Sequence, residues 1–490
     1  MNKKKFSVLK RISMLSAVIM LTLTAAFSLT ACGKSNIPEN TVFSADDLAG
    51  KSVGVQLGTT GDIYVSDMES DGSGTKVERY NKGNDAIQAL KQGKIDAVVI
   101  DAQPAKAFVN ANSDLCMLNE DFVTEEYAIC IAKNNSSFTS KVNDALNVLI
   151  NNGTIDNIIS NYIGENASKQ PYEPTGSGEN GTLTIAVNAY FEPYEYYNNG
   201  KVSGIDIDIS NAIADYLGMK LSVEDMEFDS IITAVSSGKA DMGISGITVT
   251  EERKKNIDFT IPYTTSSQVI IVRNNDAANQ GISFSDKFKT DFIKDGRYQY
   301  LLTGLKNTLI IALCAAIMGI VIGFLIAVVR SNHDKTGGMK VLNFICNIYL
   351  TVIRGTPTMV QLLIIYYVIF SSVQVNKIIV AILAFGINSG AYVAEIFRSG
   401  IMSIDNGQFE AARSLGLSYR KTMKLVILPQ AFKNVLPALA NEFIVLLKET
   451  SISGYIGLND LTRGGDIIRS ITYDPMLPLF GVAIIYLVLV

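Results

Sequence analysis

Apolar and polar positions divide the chain near Tyr300. On the N-terminal side short apolar runs alternate with amphipathic stretches, the rhythm of strands interleaved with helices. Residues 52–55, 97–100 and 127–132 read as strands, and 86–92 and 141–162 as helices. The stretch 166–181 is rich in Ser, Pro, Gly and Glu and reads as a linker. Beyond it the rhythm resumes, with strands at 183–187 and 241–244 and helices at 209–217 and 231–237. Such alternation predicts an α/β domain whose ligand groups gather at the carboxyl ends of strands. A second linker, 274–300, leads to longer apolar runs. Five read as membrane spans: 305–329, 359–370 with flanking residues, 378–396, 436–447 and 477–490.

Lys3, Lys4, Lys5, Lys10 and Arg11 precede an apolar run over 12–31, a secretory signal that is also long enough to stay as an anchor. Leu29-Thr30-Ala31-Cys32-Gly33 resembles the lipobox of bacterial lipoproteins, cleaved before a lipidated Cys32. On either reading residues 33–165 and 182–273 lie outside the cell. Arg330, Lys335, Lys340 and Arg354 cluster after the first span, as an inner loop should. Acidic residues slightly outnumber basic ones, 47 to 42, which gives no sign of nucleic acid binding. The five Cys lack metal-ligand spacing, and Cys116 and Cys130 read as thiols in strands rather than a disulfide. The single His333 sits in the basic inner loop, and no nucleophile–base set accompanies it. Residues 45–52 nearly match a phosphate loop, but they follow a polar turn and open a strand, the wrong context. No cofactor and no ATPase site of the chain's own is implied.

The stretch 410–429 lies between apolar runs yet carries Arg413, Arg420, Lys421 and Lys424, which puts it on the cytoplasmic side. Ala411 and Ala412 favour helix, Gly416 permits a turn and Pro429 ends the second segment, so two short helices at an angle are expected. The sequence Glu410-Ala411-Ala412, then Gly416, then Val426-Ile427-Leu428-Pro429 resembles the EAA loop of ABC importer permeases, with Val426 where the family has Ile. Arg354-Gly355-Thr356-Pro357, Tyr392-Val393-Ala394-Glu395 and Lys448-Glu449-Thr450-Ser451 resemble its polar-amino-acid branch. The resemblance covers 301–490. It implies that Glu410, Ala411, Ala412, Gly416, Leu428 and Pro429 couple the chain to separate ABC ATPase subunits. One such loop also implies a second copy of the permease, or a related permease, as partner.

Both extracytoplasmic segments resemble halves of a type II amino-acid-binding protein of the glutamine-binding kind. The half that normally comes first, 182–273, here comes second, and 33–165 carries the other lobe with a returning terminal helix. A circular permutation accounts for this order, because joining the natural ends on one lobe needs only a short linker; the other reading is two half-domains left by a deletion, which would not complete a site. The run Ser245 to Arg253 resembles the family's carboxylate clamp. There Arg253 grips both oxygens with its planar fork, and the Gly246 and Thr248 regions add backbone donors. Asp101 matches the ammonium-binding Asp, although helix capping is also open to it. Phe191 and Phe228 match aromatics that sandwich the aliphatic part of the ligand, while Asn188, Gln56 and Thr60 fall at its side-chain end. The amides at Gln56 and Asn188 replace a Lys and an Asp frequent in glutamine binders, which argues against glutamine itself and for an uncharged polar side chain.

The expected architecture is a two-lobed, permuted α/β domain of the periplasmic-binding-protein kind, followed by an all-α, five-helix transmembrane permease domain. The expected function is an amino acid ABC importer subunit, with a free amino acid as ligand and membrane lipid around it. The alternative, a ligand-binding receptor or ligand-gated channel, would call for a pore loop or a signalling domain. Neither appears in the sequence. At 1.5 Å per residue the last span, about 14 residues, covers roughly 20 Å of a core about 30 Å thick, so the chain is expected to continue past Val490.

Overall fold

The computed structural model describes residues 37–490 apart from 121, 134, 165–166, 169, 276–282, 372, 374 and 475. The signal segment and Cys32 lie outside the described residues. Strands are numbered in chain order: β1 Ser52–Gln56, β2 Lys76–Tyr80, β3 Ala97–Asp101, β4 Leu115–Met117, β5 Val123–Ala132, β6 Thr182–Val187, β7 Tyr190–Phe191, β8 Glu195–Asn198, β9 Lys201–Ser203, β10 Lys220–Asp225, β11 Met242–Gly243 and β12 Ile257–Arg273. One curled sheet runs β10-β6-β11-β5-β12-β3-β1-β2, with β4 added on β12, and β7-β8-β9 form a small second sheet.

Two halves meet along this sheet. Parallel β1, β2 and β3 form one, and β3 is buried at all five positions, as a strand covered on both faces must be. Parallel β6, β10 and β11 form the other. The antiparallel pair β5–β12 runs through both, pairing β11 through β5 and β3 through the far end of β12. The helix expected over 141–162 is two helices, Ser136–Asn151 and Thr154–Tyr162. They pack Leu146 and Ile155 against Leu183, Ile185 and Ile213 of the second half, although they follow the first in sequence. The chain's entry and the exit of β12 also touch: Arg273 Nε donates to Pro38 O at 2.9 Å, and Asn40 N–H to Asn275 Oδ1 at 2.8 Å.

In the membrane half, helices Tyr298–Thr336 and Lys377–Met402 approach closely. A Cβ at Gly319 would lie 2.8 Å from Ser389 Oγ, and one at Gly323 2.7 Å from Ala394 N. Small residues spaced by four let apolar helices pack where lipid supplies no hydrophobic drive. These two helices are long and apolar enough to cross a membrane, and Lys340–Gly355 with Thr358–Ile369, bent by 108°, make a third span if taken together. The remaining two expected spans fall on helices Leu428–Glu449 and Leu477–Leu489. Residues 340–355, expected as an inner loop, are helical. Val341, Phe344, Ile345, Ile348 and Val352 recur at helical spacing and make one exposed apolar face.

Candidate functional site

The first half brings Gln56, at the end of β1, Thr59 and Thr60, at the start of helix Thr60–Ser70, and Asp101, at the end of β3, to one cleft. The second half brings Asn188, Phe191, Phe228, Ser245 and Gly246. These nine residues line a single small, nearly closed cavity. Six of them, with Gly246 as a seventh, are residues singled out from the sequence. The lobes touch across it: Thr60 Oγ1 donates to Thr248 Oγ1 at 2.8 Å, and Gln56 Nε2 to Asn188 Oδ1 at 3.4 Å. Arg253 closes an adjoining cavity, and Phe228 is shared by both. Its guanidinium is buried over the Phe228 ring, 5.7 Å from the centroid. It donates to Thr248 O at 2.7 Å and, across the lobes, to Gly58 O at 2.8 Å.

Asp101 occupies the N-cap position of helix Ala102–Ala111, yet its side chain makes no capping bond. Tyr127 OH donates to Asp101 Oδ1 instead. Burial, followed by the charge of Glu125, pushes the Asp101 carboxyl up to about 7. An unpaired buried carboxylate is costly, so this position favours a cationic partner. Gly246 differs from expectation in one respect. Its N–H donates to Asp206 Oδ2 at 2.9 Å, so it is committed to the protein. Gly246 holds a left-handed φ of 54°, and a Cβ there would meet Phe191 at 2.9 Å. It therefore shapes the cavity wall rather than supplying a donor.

Several residues of the site were not read from the sequence. Glu125, 4% exposed, accepts from Thr248 Oγ1. Ser245 Oγ donates to Glu195 and accepts from Asn188 N–H at 3.1 Å. These partners come from distant strands, and no local spacing announces them.

A charged network fastens both lobes to the membrane half through helix Leu461–Thr472. Arg463, 2% exposed, pairs with Asp225 of β10 and lies 3.6 Å from Glu227. Lys82 of the other lobe reaches Asp466 at 2.6 Å, and Arg469 pairs with Asp85. At the opposite end, helix Asn406–Ser414 and helix Tyr419–Thr422 flank Gly416, which takes φ 81°. Glu410, Ala411, Gly416 and Pro429 are exposed there, Leu428 is half-buried, and Ala412 is buried. Leu415 stands 84% exposed at the turn.

Residues 183–337 match the bacterial extracellular solute-binding proteins, family 3, and residues 319–490 match the binding-protein-dependent transport system inner membrane component. The arginine transport system permease protein of Bacillus subtilis (strain 168) is 40% identical over 193 residues, 39% of this chain and 86% of that protein. The glutamine transport system permease protein of Escherichia coli (strain K12) is 37% identical over 192 residues, 39% of this chain and 85% of that protein. Among solved structures, an amino acid ABC transporter with histidines is 41% identical, covering 43% of this chain and 93% of that one, at a TM-score of 0.38.

Two converging lobes joined to packed apolar helices, with the two family matches and the permease relatives, define a transport protein. The chain belongs to the amino acid ABC transporter permease family, and a solute-binding domain of type II is fused to its permease on the same polypeptide. It is a bacterial inner-membrane protein whose binding domain faces the extracytoplasmic side.

Proposed function

We propose that the chain captures one free amino acid between its lobes and passes it through its own membrane half. The supporting observation is the convergence of residues from both halves of the sequence on one cavity. In this reading Arg253, with Thr248, turns from its carbonyl partners to hold the ligand carboxylate, and Asp101 receives the ammonium group. Phe191 and Phe228 flank the aliphatic part. Gln56, Thr60 and Asn188 meet the far end. Relatives carry glutamine and arginine in their names. Gln56 and Asn188 are amides, which favours an uncharged polar side chain over a cationic one.

Coupling belongs to the same proposal. The two-helix loop over 410–429 serves as the grip for separate ATPase subunits, and a second permease, identical or related, completes the pathway in the lipid bilayer. We also propose that the binding domain is circularly permuted, with lobes 33–165 and 182–273, linkers 166–181 and 274–300, and the permease over 301–490. The touching of Asn40 and Asn275 supports this, because it leaves both new ends at one edge. Moving 37–165 behind 275 should then preserve ligand binding, and loss of binding in a folded rearranged chain would count against it.

The functional test is thermal unfolding of the purified full chain against the common amino acids. Arg253→Ala should abolish the ligand-induced shift. A bidentate, charge-assisted pair and the ligand charge left unpaired are together worth about 2–5 kcal/mol. That is roughly 30-fold to several-thousand-fold in Kd. Near-wild-type affinity in this variant sinks the clamp.

A further inference from the structure

The Ser245–Gly246 corner of the cavity rests on two carboxyl groups that solvent does not reach. Glu195 of β8 and Asp206, in the first turn of helix Ile205–Leu217, are both fully buried. Each holds one residue of the corner: Ser245 Oγ donates to Glu195 Oε1, and Gly246 N–H donates to Asp206 Oδ2 at 2.9 Å. Tyr263 OH donates to Asp206 Oδ1 at 2.9 Å. Glu195 Oε2 meets no ordinary donor among the described residues. The carboxyl of Asp206 is its neighbour in the same buried cluster. Two carboxyl oxygens attract only when a proton lies between them, and two buried carboxylates in contact cannot both ionise cheaply.

One protonation state satisfies every atom. Glu195 keeps its proton and donates from Oε2, while ionised Asp206 accepts from Glu195, Gly246 and Tyr263. The other titratable groups facing the pair are Tyr194, Tyr263 from β12 and Asp225 from β10, and none of them is cationic. The nearby cation Arg463 is already paired with Asp225. Burial and then the charge of Asp206 hold the Glu195 carboxyl well above the usual range. Burial moves Asp206 up to about 6.

We propose that Glu195 is a positioning residue for ligand capture: its proton, shared with Asp206, fixes the Ser245–Gly246 corner, and loss of that proton in alkali loosens the corner and weakens binding. Glu195 is absent from the cavity lining, so it acts through Ser245 and Gly246. The inference rests on the cavity being the amino acid site. The sign is opposite to that of Asp101, whose ionisation strengthens ammonium binding as pH rises to about 7. A variant that removes only the Glu195 titration separates the two.

Glu195→Gln keeps shape and a donor toward Asp206 but cannot ionise. Calorimetry on the full chain in nanodiscs, with L-glutamine and L-arginine as probes, should give a variant within about threefold of wild type near pH 6. The wild-type Kd should then rise above that of the variant as pH is raised into the alkaline range where Glu195 loses its proton. Infrared difference spectra should show a protonated-carboxyl band that is absent in the variant and lost from wild type where its affinity falls. A Kd ratio that stays flat with pH overturns the inference, and so does loss of binding near neutral pH in a folded variant. Should Glu195→Gln fail to fold, the wild-type infrared titration decides, and absence of a carboxyl band that disappears together with affinity overturns the inference. An Arg253→Ala chain that binds like wild type overturns the cavity reading instead, whatever the infrared titration shows.

Discussion

Replacing Asp101 by Asn tests whether the cavity recognises an α-amino group, and the structure fixes both size and sign of the expected effect. Asp101 is 5% exposed, with Tyr127 OH already on one oxygen. A ligand ammonium on the other oxygen would be desolvated there. Removing the charge should cost about 2–5 kcal/mol, the range for breaking a buried hydrogen-bonded charge pair. That is a rise in Kd of roughly 30-fold to several-thousand-fold. The des-amino analogue of the same ligand never made this pair, so its Kd should change by about threefold or less. The pH dependence follows from a carboxyl pushed up to about 7, because binding an ammonium requires the ionised form. The ionised fraction climbs from roughly 3% near pH 5.5 to nearly all near pH 8.5, so wild-type affinity should improve by about 30-fold over that interval. Because Glu195 acts in the opposite direction toward the alkaline end, the rise is compared with that of a Glu195→Gln chain. In Asp101→Asn this slope should vanish.

Folding should respond with the opposite sign. A carboxyl raised in the folded state contributes stability below its ordinary value of 3.8 and loses it as pH rises to about 7. Asp101→Asn should therefore unfold at a higher temperature than wild type near pH 8, in the absence of amino acid, while binding less. Calorimetric titration of the full chain with L-glutamine and its des-amino analogue, at acid, neutral and mildly alkaline pH, reads all of this. Equal losses for the two ligands, or a pH slope that survives in the Asn variant, would refute the ammonium-binding role.

Glu410→Lys, or Gly416→Asp at a φ of 81°, should lower ATP-driven uptake in proteoliposomes about tenfold or more with amino acid affinity unchanged, and normal uptake speaks against ATPase coupling through this loop. The pairing of permeases predicts two membrane halves per functional transporter by native mass measurement, and a single half in an active particle excludes it. Arg463→Ala leaves Asp225 buried without its cation, so the full chain should lose about 3–5 kcal/mol of stability. Arg463→Met combined with Asp225→Asn should recover most of that loss, and failure of the pair to recover it would mean that Arg463 acts mainly through other contacts.

The residues legible in the sequence are those whose chemistry is local. Thr248 and Arg253 sit five residues apart in one turn, and Asp101 closes an apolar strand, so short patterns carry them. The Gly416 turn is legible for the same reason. What pattern reading misses is whatever the fold assembles from afar. β12 runs 17 residues, but its register shifts around Pro262 break the alternation that would announce a strand. β2, Lys76–Tyr80, has no buried position and no apolar run. Lys340 and Arg354 bracket an amphipathic helix and, in sequence, make it look like a basic loop.

The acids show the limit most sharply. Asp206 and Asp208 open helix Ile205–Leu217, where acidic residues commonly face solvent and favour the positive end of the helix dipole. Nothing in their spacing says that one of them is sealed against Glu195 beneath Gly246. Only the pairing of β6 with β11 brings the Ser245–Gly246 corner over the start of that helix. Once it does, the amide expected to serve the ligand is used to hold the corner in place. The cavity wall and the charge that supports it therefore answer to one contact, so a substitution at Asp206 should disturb affinity and folding together, whereas one at Asp101 should move them in opposite directions.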